Sequence, residues 1–289
     1  MKIANVNGRA VLMTSDESGV DIAELSGGRY GPDLPALYES WGEFLQWARA
    51  AEMSDAPALG VQREQLGSPS PAPRQVVAVG LNYREHAAET GFALPGALPP
   101  TFTKFPSSIT GPDTAVELPI GGHTDWEVEL VLVIGTGGRR IRVEDAWSHV
   151  AGVTVGQDLS ERITQMEGPA PQFSLGKSFP GFTPMGPWLV TAEELADPDD
   201  LELGCSIDGT VMQLGRTSDL IFPVAELVAK LSEVLTFVPG DVIFTGTPAG
   251  VGLGRSPQRF LQAGETLSTW IEGIGEIRQT FVAPTQASS

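Results

Sequence analysis

The chain has 289 residues, 41% of them hydrophobic, with 36 acidic against 18 basic side chains and a formal charge of −18. That apolar share is enough to bury a full core in one large domain with a small accessory one, which excludes a disordered chain. The charge repels phosphate at long range and excludes nucleic acid and anionic membrane as partners, while small organic acids stay open if a cation and a few Arg or Lys residues set the field locally.

The single cysteine, Cys205, rules out an intrachain disulfide and reads as a small core hydrophobe. The start of the chain lacks a signal-type apolar stretch, and no run of about 18 apolar residues occurs anywhere. Cytoplasmic residence is therefore expected.

Residues 2–12 and 20–25 read as short strands, and Leu37, Trp41, Phe44, Leu45 and Ala48 have the spacing of an amphipathic helix. Residues 67–73, Gly-Ser-Pro-Ser-Pro-Ala-Pro, break regular structure, because proline removes a donor and restricts the residue before it. The domain boundary is placed there: a small N-terminal α+β domain over 1–68 and a main domain over 69–289. Beyond it, residues 76–79, 127–134, 150–155 and 242–244 are short apolar or alternating runs bounded by turn residues, as buried strands are. Asp208-Gly209 suits a type I′ hairpin turn between alternating segments, and Val224, Leu227, Val228, Leu231, Val234 and Leu235 mark a helix. Many turns and few helices predict a mainly β, α+β fold.

Chemistry concentrates at two places. In Asp125-Trp126-Glu127-Val128-Glu129-Leu130 the two-residue period of a strand puts Asp125, Glu127 and Glu129 on one face. The apolar run that follows implies burial, which like charges tolerate when a cation neutralises them. An edge strand with a solvated acidic face fits the same pattern equally well. Asp158 ends a second apolar strand, where it can be a ligand or the N-cap of the next turn. Oxygen donors alone suit Mg²⁺, Mn²⁺ or Ca²⁺ better than Zn²⁺. The second place is His86, with Glu89 three residues on. The two share a face if residues 83–90 are helical, and a carboxylate there can orient an imidazole as general base. An exposed helix pair is the commoner explanation of that spacing. His123 and His149 stand in turn or helix-end contexts and are assigned surface or capping roles. Lys177 read alone is a surface lysine, and Arg162 an ion-pair partner of Glu161 or Glu167.

Taken together, Gly80-Leu81-Asn82-Tyr83-Arg84-Glu85-His86, Phe102-Thr103-Lys104, the 125–130 run, Gln157-Asp158-Leu159-Ser160-Glu161-Arg162, Gly176-Lys177-Ser178 and Thr245-Gly246-Thr247-Pro248 resemble the fumarylacetoacetate hydrolase family in order. The resemblance covers residues from about 74 to 282. It implies a mixed β-sandwich roll, usually a homodimer, with Glu127, Glu129 and Asp158 holding Mg²⁺ or Mn²⁺. It further implies that His86 with Glu89 activates water, that Lys177 and Gln165 stabilise negative charge, and that Arg162, Thr247, Tyr83 and Lys104 meet a small anionic 2-oxo acid. Larger members carry a further metal-binding aspartate seven positions before the histidine; here that position is Val79, as in smaller members.

What the resemblance implies for activity is hydrolysis of a carbon–carbon bond in a 2,4-dioxo acid of acylpyruvate or diketo-deoxy sugar acid type. The same residues also serve tautomerisation, isomerisation of hydroxymuconate-type diacids or decarboxylation of oxaloacetate. A noncatalytic organic-acid binder is a more distant alternative. Residues 84–100, rich in Gly and Pro, are expected to form a mobile lid carrying His86 and Glu89.

Overall fold

The computed structural model describes residues 1–91 and 93–285. Its centre is the strand Val128–Ile134, which is buried along its whole length. It pairs antiparallel with Val150–Gln157 on one side and with Val242–Phe244 on the other. Val242–Phe244 is in turn parallel to Val76–Val79, which pairs with Thr101–Thr103 at the sheet edge. In the other direction Val150–Gln157 leads to Thr183–Val190 and then to Lys2–Val6. The N-terminal strands thus extend the same sheet as the later ones.

Burial on both faces explains why the central strand reads as a nearly continuous apolar run. Val128, Leu130, Leu132 and Ile134 pack in a core shared with the five-stranded sheet of Glu202–Ile207, Thr210–Arg216, Thr266–Ile271, Gly275–Val282 and Asp113–Glu117. The result is a two-layer sandwich. On the reverse face Val133, Ala151 and Leu189 pack with Leu37, Tyr38, Trp41 and Phe44 of the N-terminal helices. The remaining odd-numbered apolar side chain, Val131, lies in a smaller cluster with Val76, Ala78, Phe102, Met185 and Phe244.

Several local features differ from expectation for identifiable reasons. The 2–12 run is two strands, Lys2–Val6 and Arg9–Ser15, because Asn7 and Gly8 both take positive φ, 51° and 84°, in a hairpin turn. Residues 20–25 divide as well: the strand Ser18–Asp21 gives way to the helix Ile22–Leu25, where the Asp21 side chain accepts from the Glu24 N–H. The amphipathic segment is two helices, Leu34–Glu39 and Trp41–Ala48, meeting at Ser40. The Asp208-Gly209 turn has φ of 48° and 80°, and the helix Val224–Val234 forms as its spacing predicts. The proline-rich stretch after Gly67 is irregular yet packed, with Ser70 Oγ donating to the Gly240 carbonyl and Tyr38 Oη to that of Pro69.

Candidate active site

The carboxylates stand where the central sheet stops. Residues 126 and 127 leave the ladder, so the predicted strand begins at Val128 and not at Glu127. Two side chains replace the missing partners: the Glu127 N–H donates to Gln157 Oε1 (2.8 Å) and the Val128 N–H to Gln213 Oε1 (3.0 Å). The Asp158 N–H closes the junction by donating to the Glu127 carbonyl (2.9 Å). Gln157 lies opposite Val128 in the register, so Asp158 emerges beside Glu127 and Glu129. One oxygen from each of the three acids lies within 4.8 Å of the others, and all three side chains are buried. A solvated acidic face is therefore not what this strand presents. Capping is not the task of Asp158 either, since Glu161 caps the helix Arg162–Gln165.

Cationic side chains are built around the acids. Lys177 Nζ lies 2.8 Å from Glu127 Oε2 and 2.5 Å from Asp158 Oδ2, and Lys104 Nζ reaches Asp158 Oδ1 from beneath. Arg162 bridges Asp125 and Glu127, each at 2.8 Å, and its Nη1 donates to Gln165 Oε1. Arginine has no acceptor, so the Gln165 amide oxygen must face it and the NH₂ end is left as a donor at the cavity. Gly176 lets the Lys177 segment approach closely, since a Cβ there would stand 2.7 Å from the Gln165 nitrogen.

The electrostatics divide the acids. Burial pushes the Glu129 carboxyl well above the ordinary range, and neighbouring Asp158 and Glu127 push it further. Burial acts the same way on Glu127, but Lys177 and Arg162 outweigh it and hold that carboxyl below its usual value. Burial lowers the Lys104 ammonium against the pull of Asp158, whereas Asp158 and Glu127 raise Lys177 despite its burial.

These residues fit a divalent cation. The buried acids Asp125, Glu127, Glu129 and Asp158 outnumber the buried cations Lys104, Arg162 and Lys177, and the uncompensated repulsion falls on Glu129, whose oxygen also accepts from the Gly246 N–H (2.7 Å). Glu127, Glu129 and Asp158 would hold the ion through hard oxygen donors, as Mg²⁺ or Mn²⁺ requires.

A cavity of about 440 Å³ opens over this cluster. His86, Glu89, Gln165, Lys177 and Thr247 line it together with Glu127 and Glu129. The helix Arg84–Thr90, ended by Gly91 in the left-handed region, places His86 Nδ1 2.9 Å from Glu89 Oε1. Glu89 also accepts from the Gly250 N–H, tying the pair to the opposite loop. An exposed helix pair is thus excluded, as His86 is 6% accessible. Phe92, within the segment expected as a lid, lies outside the described residues.

Two residues expected to meet substrate stand elsewhere. Lys104 has no accessible surface and supports Asp158 and the Lys177 carbonyl from below, and Tyr83 is packed in the main core. Arg162 pairs with Asp125 and Glu127, not with Glu161 or Glu167. His123 stacks on Phe260 and His149 bonds the Thr136 carbonyl, away from the cavity. Sequence reasoning missed Gln213 and the structural part of Asn82, whose amide binds the Phe222 and Thr245 carbonyls and the Phe222 N–H. A buried amide carries no periodic signal, although Asn82 belongs to a recognisable motif.

A sheet sandwich that gathers three buried carboxylates, a His–Glu pair and paired lysines at its strand ends defines a class of enzymes acting on small acids. The fumarylacetoacetate hydrolase C-terminal family profile matches residues 75–282, and the chain belongs to that family as an enzyme of its hydrolase type. Among curated relatives, human mitochondrial oxaloacetate tautomerase FAHD2A is 42% identical over 253 residues, covering 86% of this chain and 80% of its own. The 2,4-didehydro-3-deoxy-L-rhamnonate hydrolase of Sphingomonas sp. strain SKA58 is 42% identical over 239 residues, covering 82% and 83%. A crystal structure of a Mycobacterium smegmatis protein provisionally named HpcE superposes with a TM-score of 0.93 at 56% identity, over 99% of this chain and 100% of that one. Maleylpyruvate hydrolase from Sphingobium sp. SYK-6, solved with manganese(II) and pyruvate, gives 0.79 at 26% identity over 99% and 100%. No helix among the described residues is long and apolar enough to cross a membrane.

Proposed function

We propose that the chain hydrolyses the carbon–carbon bond of a small 2,4-dioxo acid of acylpyruvate or diketo-deoxy sugar acid type, releasing pyruvate or a related 2-oxo acid. The observation that carries this reading is the carboxylate-oriented imidazole of His86 on the wall of the cavity floored by Glu127 and Glu129. A noncatalytic binder has no use for an oriented base.

A divalent cation, Mg²⁺ or Mn²⁺, supplies Lewis acidity towards the 2-oxo acid end when bound; the same oxygens also admit Ca²⁺. Thr247 receives the substrate carboxylate, and Arg162 stiffens the floor by holding Glu127 and Gln165. With Nδ1–H donated to Glu89, the lone pair of His86 is on Nε2, which takes a proton from water as it attacks the C4 carbonyl. Lys177 Nζ and the Gln165 amide donate to the C4 oxygen as it becomes negative. Scission of C3–C4 leaves the electron pair on C3, and the proton held by His86 returns there. Lys104 and Tyr83 act from behind the cavity. In this reading the described residues of the segment, 84–91 and 93–100, close over the substrate, and the protein works as a cytoplasmic homodimer.

The tautomerase name of the human relative favours a second reading, in which His86 shuttles a proton at C3 without water. Incubation of the Mg²⁺- or Mn²⁺-loaded protein with acetylpyruvate and with enol-oxaloacetate separates them. Hydrolysis predicts loss of ultraviolet absorbance with stoichiometric pyruvate from acetylpyruvate. Enol-to-keto conversion of oxaloacetate, with no pyruvate from any 2,4-dioxo acid, would overturn it.

A further inference from the structure

Gln213 lies on the strand Thr210–Arg216 of the outer sheet, yet its side chain reaches the site and is 1% accessible. Each of its polar atoms is committed. Oε1 accepts from the Val128 N–H (3.0 Å) and from Cys205 Sγ (3.3 Å), while Nε2 donates to the Pro248 carbonyl (2.7 Å) and to Thr247 Oγ1 (2.8 Å). The orientation of the amide is fixed by chemistry: a flipped amide would set NH₂ against the Val128 N–H and oxygen against the Pro248 carbonyl.

A consequence follows for Thr247, which lines the cavity. Because both hydrogens of the Gln213 amide are used, Thr247 Oγ1 is an acceptor in that contact. Its own proton must go elsewhere, and among the described residues it is donated to no group. A hydroxyl that accepts on its protein side is left to donate on its open side.

We propose that Gln213 is a positioning residue that fixes the Thr247 hydroxyl as a hydrogen-bond donor to the anionic oxygen of a 2-oxo acid. Through the Val128 N–H the same amide ties that donor to the strand bearing Glu129. The inference rests on the site reading above, and binding tests it without turnover.

The probe is oxalate, titrated calorimetrically into the Mn²⁺-loaded protein. A donor to a charged oxygen is worth about tenfold in affinity, so Thr247→Val should weaken oxalate about tenfold, and Thr247→Ser should restore most of the loss. Gln213→Glu puts an acceptor where the donor was, which turns the Thr247 proton away from the cavity. It should cost about as much, and adding Thr247→Val to it should cost little more. Gln213→Met, which adds no charge, frees the hydroxyl to turn towards the Pro248 carbonyl and should lose about three- to tenfold, a check that does not depend on how Gln213→Glu folds. Mn²⁺ affinity, titrated separately, should stay within about twofold of the parent in all four single variants. Additive losses in the double variant, unchanged oxalate binding in Thr247→Val, or loss confined to Mn²⁺ would each overturn the proposal. Hydrolysis assays run in parallel report on the reaction itself, so loss of turnover with the binding pattern intact counts against the hydrolase reading alone.

Discussion

His86 Nδ1 and Glu89 Oε1 stand 2.9 Å apart, and the same carboxylate holds the Gly250 N–H of the facing loop. One acid therefore sets both the tautomer of the imidazole and the position of a cavity wall. Glu89→Gln keeps an acceptor for Gly250 but surrenders the charge that stabilises the imidazolium. We expect kcat to fall about 10²-fold with KM within about threefold, and His86→Ala to cost about 10²–10⁴-fold while metal affinity persists. Steady-state kinetics with a metal titration decides the point: lost metal binding in His86→Ala would mean that the residue serves the ion.

Glu129 makes the metal-free protein sensitive to pH in a definite direction. Its carboxyl is raised by burial and by Asp158 and Glu127, so the folded state holds a proton that the unfolded state releases first. The fold is favoured below the ordinary carboxylate range and loses that advantage as pH climbs towards the raised value. Without metal, the thermal midpoint should drop over that window. Glu129→Gln should flatten the drop, raise the neutral-pH midpoint by roughly 2–4 °C per kcal/mol recovered, and abolish stabilisation by Mn²⁺. Calorimetry with and without chelator reads all three, and an unaltered pH profile in Glu129→Gln would contradict the argument.

Much of this site is legible in the residues, and what is not has a physical reason. The two-residue period places Glu127 and Glu129 on one face because side-chain direction is a local property of a strand. Which side of Asp158 receives Lys104, by contrast, depends on a contact across 54 positions, and no local pattern encodes it. Gln213 was invisible for the same reason: in a sequence it is only a polar residue of an alternating strand. In the fold, Asn7-Gly8 is a type I′ pair that the sequence carries locally but that the apolar run on either side hides, whereas the helices after Leu34 part at a serine that the apolar spacing spans without interruption.

Lys104 has no accessible surface and holds Asp158 against the Lys177 carbonyl. Breaking a buried pair outright costs about 3–5 kcal/mol, but Lys177 still compensates part of the Asp158 charge, so the loss here is about 1–3 kcal/mol. Lys104→Met should therefore lower the denaturation midpoint by that equivalent in the metal-free protein. Because an ion can take over part of the Asp158 charge, Mn²⁺ should recover some of the loss. Urea unfolding in both states measures it, and a Lys104→Met protein as stable as the parent would show that the Lys104–Asp158 contact adds nothing to the fold.

Gly252 sits where the loop after Thr247 crosses itself. A Cβ at that position would stand 1.8 Å from the Arg259 carbonyl and 2.8 Å from Asp125 Oδ1, which accepts the Gly252 N–H. Backbone cannot yield as a side chain can, so Gly252→Ala should displace Leu253 and Gln258, both on the cavity wall. An increase in KM of about tenfold or more with a smaller change in kcat is the expected signature of a misplaced wall. Kinetics indistinguishable from the parent would refute it.

The junction at Glu127 has one more implication. The amide that holds the Glu127 N–H, Gln157, is itself steadied by Thr269 Oγ1 of the outer sheet at 2.9 Å, and Gln213 belongs to that sheet as well. The outer sheet, which supplies none of the three acids, thus acts as a rear suspension for them. Substitutions there, out of reach of any ligand, can retune the metal's hold and the reaction's choice of outcome, which gives related chains a route to new activities that leaves every reacting residue in place.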